Sequence, residues 1–127
     1  MSVAINQETV NDTAKLIMHR LIARRLLRDP SLVVQARQSL AQMAIKFPDR
    51  SFVREWEVIL RRSAKEIAKF LTDRGDEARR LRLSSPFVIA EGIDFTDEAL
   101  RRRIWRAAKR IASGGAEALH APSIAAR

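Results

Sequence analysis

The 127-residue chain contains no cysteine. That removes disulfide scaffolds and zinc sites built on thiolates, and it fits a compartment that does not oxidise thiols. Apolar runs of membrane length are missing too. The most apolar-leaning stretch, LIMHRLIARRLL, is interrupted by arginines, so no helix is expected to span a bilayer. The opening MSVAINQETVNDTAK has no apolar segment behind a basic start, so no secretory signal is read and the cytoplasm is the expected location. Catalytic equipment is equally sparse. There is no G-x-x-x-x-G-K-[ST] loop to cradle phosphates, and no serine stands in a nucleophile-elbow context. Of the two histidines, His19 lies near the apolar side of a helix and reads as a packing residue, while His120 sits in the tail. No His/Asp/Glu group has ligand spacing. The expectation is a non-catalytic protein with no metal or cofactor.

Basic charge is what the chain has in excess. Its formal net charge is +9, from 24 Lys and Arg against 15 Asp and Glu. Such a surface attracts polyanions, which include nucleic acid, anionic lipid and acidic proteins. Nineteen of those 24 basic residues are arginine. A GC-rich genome produces the same bias, so charge alone does not name a partner.

The hydrophobic pattern predicts an all-α domain, a bundle of four to six helices, over residues 11–113. Residues 1–10 read as a loose lead-in and 114–127 as a frayed, flexible tail. Asn11-Asp12-Thr13 offers capping side chains for a first helix, and Asp29-Pro30 ends it and starts the next. In the second helix Leu32, Val33, Ala36, Leu40, Met43, Ala44 and Phe47 share a core side, with Gln35, Gln38, Ser39, Gln42 and Lys46 opposite. Phe52, Val53, Trp56, Ile59, Leu60, Ile67, Phe70 and Leu71 share one face, which suits a single long helix. Ser63-Ala64-Lys65-Glu66 matches a capping box, which suits two, and the pattern leaves both open. Asp76–Leu83 reads as a short basic helix, and residues 87–95 as an apolar loop anchored by Phe87 and Phe95. The last helix is expected to follow an N-cap at Thr96, with Asp97 and Glu98 in its first turn, and to run through about Ile111 before Gly114-Gly115 ends it.

The charge is concentrated. Residues 11–28 and 97–111 each carry a net +4. On the last helix Leu100, Ile104, Ala107, Ala108 and Ile111 form the apolar stripe. Arg102, Arg103, Arg106, Lys109 and Arg110 lie opposite, with Trp105 at the margin. Uncompensated cations at i,i+4 repel each other mildly, and an anionic partner such as nucleic acid would relieve that. On the first helix Met18, Ile22, Ala23, Leu26 and Leu27 face the core, and Ile17 and Leu21 fall on the far side among Arg20, Arg24 and Arg28. Arginine interleaved with apolar side chains has the composition of a protein interface, although a helix buried on two sides would look the same. A helix-turn-helix beginning at Glu66–Leu71 fits poorly. Its turn lacks the apolar residue, and Asp76-Glu77 would repel phosphates where the second helix starts.

Several short segments occur in a telling order: Ala23–Leu32 (ARRLLRDPSL), Trp56, Glu66-Ile67 and Arg79–Phe87 (RRLRLSSPF). This order resembles small bacterial antitoxin components encoded beside a toxin gene, some of them fused to a DNA-binding helix-turn-helix. The likeness covers roughly residues 20–106. The chain departs from that pattern in showing no added DNA-binding domain and in a more hydrophobic 87–95 loop. The resemblance implies an antitoxin that neutralises a partner toxin by protein–protein contact. The alternative is a basic module contacting nucleic-acid phosphates through its Arg-rich helices. Self-association into a homo-oligomer is left open.

Overall fold

The computed structural model describes residues 7–88 and 97–120, with side chains through Ser113. The described residues form six helices and no strand: α1 Gln7–Arg28, α2 Leu32–Lys46, α3 Ser51–Ile59, α4 Ala64–Leu71, α5 Asp76–Arg82 and α6 Glu98–His120. Helix α1 is the central element. It packs most extensively against α6 and α4, and less against α5 and α2, while α2 also packs on α3.

That position explains the apolar pattern of α1. A helix covered from several sides needs apolar residues on more than one stripe. Val10, Ala14, Ile22, Ala23 and Leu26 are buried, and Ile17, Met18 and Leu21 are half-buried against the same core. Ile17 and Leu21 therefore pack within the bundle. Leu27, assigned to the core side by the helical wheel, is 57% exposed. The helix also begins four residues before the cap signal at Asn11-Asp12-Thr13, because Val10 is a core residue with no exposed surface. The Thr13 hydroxyl donates to the Thr9 carbonyl within the helix, at 2.8 Å, and caps nothing.

At the next corner the Asp29 carboxylate accepts from the backbone N–H of Ser31, at 3.2 Å. That contact closes a turn over Pro30 and Ser31, so the helix starts two residues later than expected: its N-cap is Ser31, whose side chain makes no cap bond, and α-helix follows from Leu32. Leu32, Val33, Ala36 and Leu40 are buried, as the helical wheel places them; Ser39, placed opposite, is buried too, and Phe47 is 42% exposed.

Residues 52–72 form two helices. Ser63 and Glu66 make the reciprocal capping box, in which the serine hydroxyl accepts from Glu66 N–H and the glutamate accepts from Ser63 N–H. The apolar face continues through the break, so Val53, Trp56, Ile59, Leu60, Ile67 and Leu71 still meet in one core. Trp56 is at its centre. The rings of Phe70 and Phe87 stand edge-on to its indole at 6.0 and 6.3 Å, and its Nε1–H donates to Ser84 Oγ at 3.2 Å. Phe87 is buried, as an anchor of its connection; Phe95 and Thr96 lie outside the described residues.

Helix α6 is capped by Asp97, whose carboxylate accepts from the N–H groups of Ala99 and Leu100 at 2.9 and 3.3 Å. It runs through Gly114-Gly115 to His120. Glycine stops a helix when it takes the left-handed conformation after the last turn; otherwise it only weakens it, and Ala116, Ala118 and Leu119 favour continuation. The buried stripe is also rotated from the one read off the wheel. Ile104 and Ala108 are buried and Trp105 is half-buried against the core, while Ile111 is 52% exposed.

Candidate binding grooves

Two seams of α1, with α6 and with α4, open into grooves walled by cations. Between α1 and α6 lies the larger, of about 950 Å³. Its apolar surface comes from Ala14 and Met18 of α1, Ile104 and Trp105 of α6, and Leu83 just past α5. Around these stand Lys15, Arg101, Arg102, Arg106 and Lys109, with Glu98 as the acid among them. Arg102 is held by Glu98 at 2.6 Å, one turn earlier on the helix. The Lys109 ammonium lies 5.8 Å from the centre of the Trp105 ring, within cation–π range. Lys15, Arg101 and Arg106 form no ion pair among the described residues.

The fold builds this groove by letting side chains lean. Leu83 is turned outward at the end of α5 and is 62% exposed, which extends the apolar surface to the rim. Trp105 uses its size to reach both the core and the groove. Three of the five cations expected on the α6 face, Arg102, Arg106 and Lys109, line the groove; Arg103 and Arg110 are exposed but line neither seam. Lys15, Arg101, Leu83 and Asn11 were missed by a reading of one helix at a time, because their neighbours here come from other elements.

The second groove, of about 420 Å³, follows the seam between α1 and α4. Arg20 and Arg24 of α1 and Lys65 and Lys69 of α4 line it, together with Ala23, Leu27, Ala68 and Thr72. Arg20 and Arg24 thus belong to a cleft with α4, separated from Ile17 and Leu21, and Arg28 is exposed outside both grooves.

The arginines of α5 are already engaged. Arg80 makes a two-pronged pair with Glu55, at 2.6 and 3.1 Å, which holds the Glu55 carboxyl below its ordinary pKa. Arg79 pairs with Asp76 at 3.2 Å. Arg82 is buried and donates to the carbonyls of Leu71 and Asp73, at 3.2 and 2.6 Å, closing the end of α4. With Ala78, Leu81 and Arg82 all inward, α5 presents no row of free readers as a recognition helix requires.

His19 is fully buried. Its Nδ1 lies 2.6 Å from the Lys15 carbonyl, and its Nε2 has no hydrogen-bond partner among the described residues. Burial, reinforced by the charges of Arg82 and Lys15, lowers its pKa to about 4. It serves as a neutral packing residue. Among the described residues no three His, Asp or Glu side chains converge as a metal site, and no helix is long and apolar enough to cross a membrane. No protein family matches the chain, and neither a curated protein nor a solved structure does.

Proposed function

We propose that the protein is a non-catalytic binding protein that covers an acidic protein partner through the α1–α6 groove, in the manner of an antitoxin neutralising its toxin. One observation carries the reading: an apolar surface containing Trp105 and Leu83 lies within a rim of five cations. Tryptophan and arginine are the side chains that dominate protein interfaces, where a dry apolar centre is ringed by polar contacts. Phosphates alone would engage the rim and leave the apolar surface wet. The antitoxin part of the reading is supported by the resemblance of residues 20–106 to such proteins.

The test is co-purification of the tagged chain with the polypeptide encoded beside it, in wild type and in Leu83→Glu. Leu83 is exposed, so a carboxylate there meets water in the free protein and leaves the fold intact. In a complex it would be desolvated without a partner, which is costly. The proposal expects a folded variant that no longer retains the partner. Retention by Leu83→Glu places the contact elsewhere. Loss on Arg106→Glu with no effect of Leu83→Glu favours an interaction through charge alone, as with nucleic acid.

A further inference from the structure

The α1–α4 cleft differs in chemistry from the groove just described, and its assignment does not depend on that reading. All four of its charged lining residues are cations, Arg20, Arg24, Lys65 and Lys69, and no acid lines it. None of the four makes an ion pair among the described residues. The acids nearest the two lysines in sequence are turned to other work. Glu66 folds back onto Ser63 as the capping box, and the Asp73 carboxylate accepts from the backbone N–H of Gly75 at 2.9 Å. The floor is shallow, made by Ala23 and Ala68, and no aromatic ring lines it.

The cations are also regularly placed. Arg20 and Arg24 are one helical turn apart on α1, and so are Lys65 and Lys69 on α4. Four residues at the α-helical rise separate successive cations on each wall by about 6 Å, comparable to the spacing of consecutive phosphates along a nucleic-acid strand. Uncompensated cations held together in this way repel, and a continuous polyanion relieves the repulsion along the whole cleft.

We infer that the α1–α4 cleft is a binding site for the phosphodiester backbone of a nucleic-acid strand, with cations approaching it from both walls. With no aromatic ring in the lining for base stacking, the contact is one of cations with phosphates, expected to depend little on sequence. An acidic peptide is the competing occupant. It is less well matched, because the floor of Ala23, Ala68 and Leu27 is shallow and has no aromatic ring to anchor a peptide side chain.

Fluorescence anisotropy with a labelled oligothymidylate and a labelled mixed-sequence duplex, each titrated with the full chain at several salt concentrations, tests the assignment. The cleft variant is Arg24→Glu with Lys69→Glu, both exposed positions. The control is Arg103→Glu with Arg110→Glu, which changes the net charge equally but lies outside both grooves. The cleft variant should weaken binding by about ten-fold or more at low salt. It should also flatten the log–log salt dependence for the single strand by about 1.4, as two lost phosphate contacts require. The control should lose far less. Binding of either oligonucleotide form with this variant pattern supports the site. Equal losses in both variants, or unchanged binding, overturn it. So does cleft-dependent binding of polyglutamate with no binding of either oligonucleotide. Arg24→Gln with Lys69→Gln, which removes charge without reversing it, must show the same direction of effect if the charge-reversed protein folds poorly.

Discussion

Trp56 has no exposed surface, and its indole is fixed by two edge-on rings and a hydrogen bond to Ser84. Replacing it with alanine removes the largest side chain of a small core and leaves a cavity. Trp56→Ala should therefore cost about 3–5 kcal/mol, read as a lowered denaturation midpoint; an unchanged midpoint would mean that the side chain is outside the core. His19 makes a different demand. Because its folded-state pKa is depressed to about 4, the folded protein favours the neutral ring. Its contribution is complete above the ordinary histidine range and is lost as the pH falls from about 6.5 towards 4, with a magnitude of roughly 3 kcal/mol. Thermal melts across that window should show a loss in wild type that His19→Phe largely lacks. Equal pH dependence in both would show that the carboxylates cause all of it.

At the scale of elements, the capping box decides a question the hydrophobic pattern leaves open. The phase from Phe52 to Leu71 is unbroken, and Ser63 with Glu66 divides it without disturbing which side chains face inward. Ser63→Ala removes the acceptor for Glu66 N–H and should destabilise the protein by about 1 kcal/mol by chemical denaturation; no change would mean that solvent satisfies that N–H equally well. Much of the architecture was legible in this way, since Trp56, Ile67 and Phe87 each lie where periodicity or anchoring puts them. The failures have a common cause. A wheel assumes that a helix has one partner, whereas α1 has several, so Ile17 and Leu21 looked like an outward face while packing inward. At the ends of α1 and α6, contact and propensity override local punctuation: Val10 extends the first helix backwards, and alanines carry the last one through two glycines.

The site was only partly legible because both grooves are seams. Net charge counted along the chain located the excess on α1 and α6, and Arg102, Arg106 and Lys109 do line one groove. It could not find the α1–α4 cleft, since Lys65 and Lys69 are offset in sequence by Glu66 and Asp73. Folding turns those acids into the capping box and the α4–α5 turn, leaving the lysines beside Arg20 and Arg24. The whole molecule thus presents two cationic seams along one central helix, one with Trp105, Met18 and Leu83 in its apolar surface and one floored by alanines and Leu27.

The central claim is that a protein partner covers the apolar surface of the α1–α6 groove. Two tryptophans differ in exposure here: Trp56 is buried, and Trp105 is half-buried in the groove. In a Trp56→Phe background, Trp105 is the sole indole, and acrylamide quenching of its fluorescence can be measured with and without a tryptophan-free version of the polypeptide encoded beside this chain. Protection of Trp105 on complex formation, with a shift of its emission to shorter wavelength, is the predicted result. A complex that forms while Trp105 stays as quenchable as in the free protein would contradict the account.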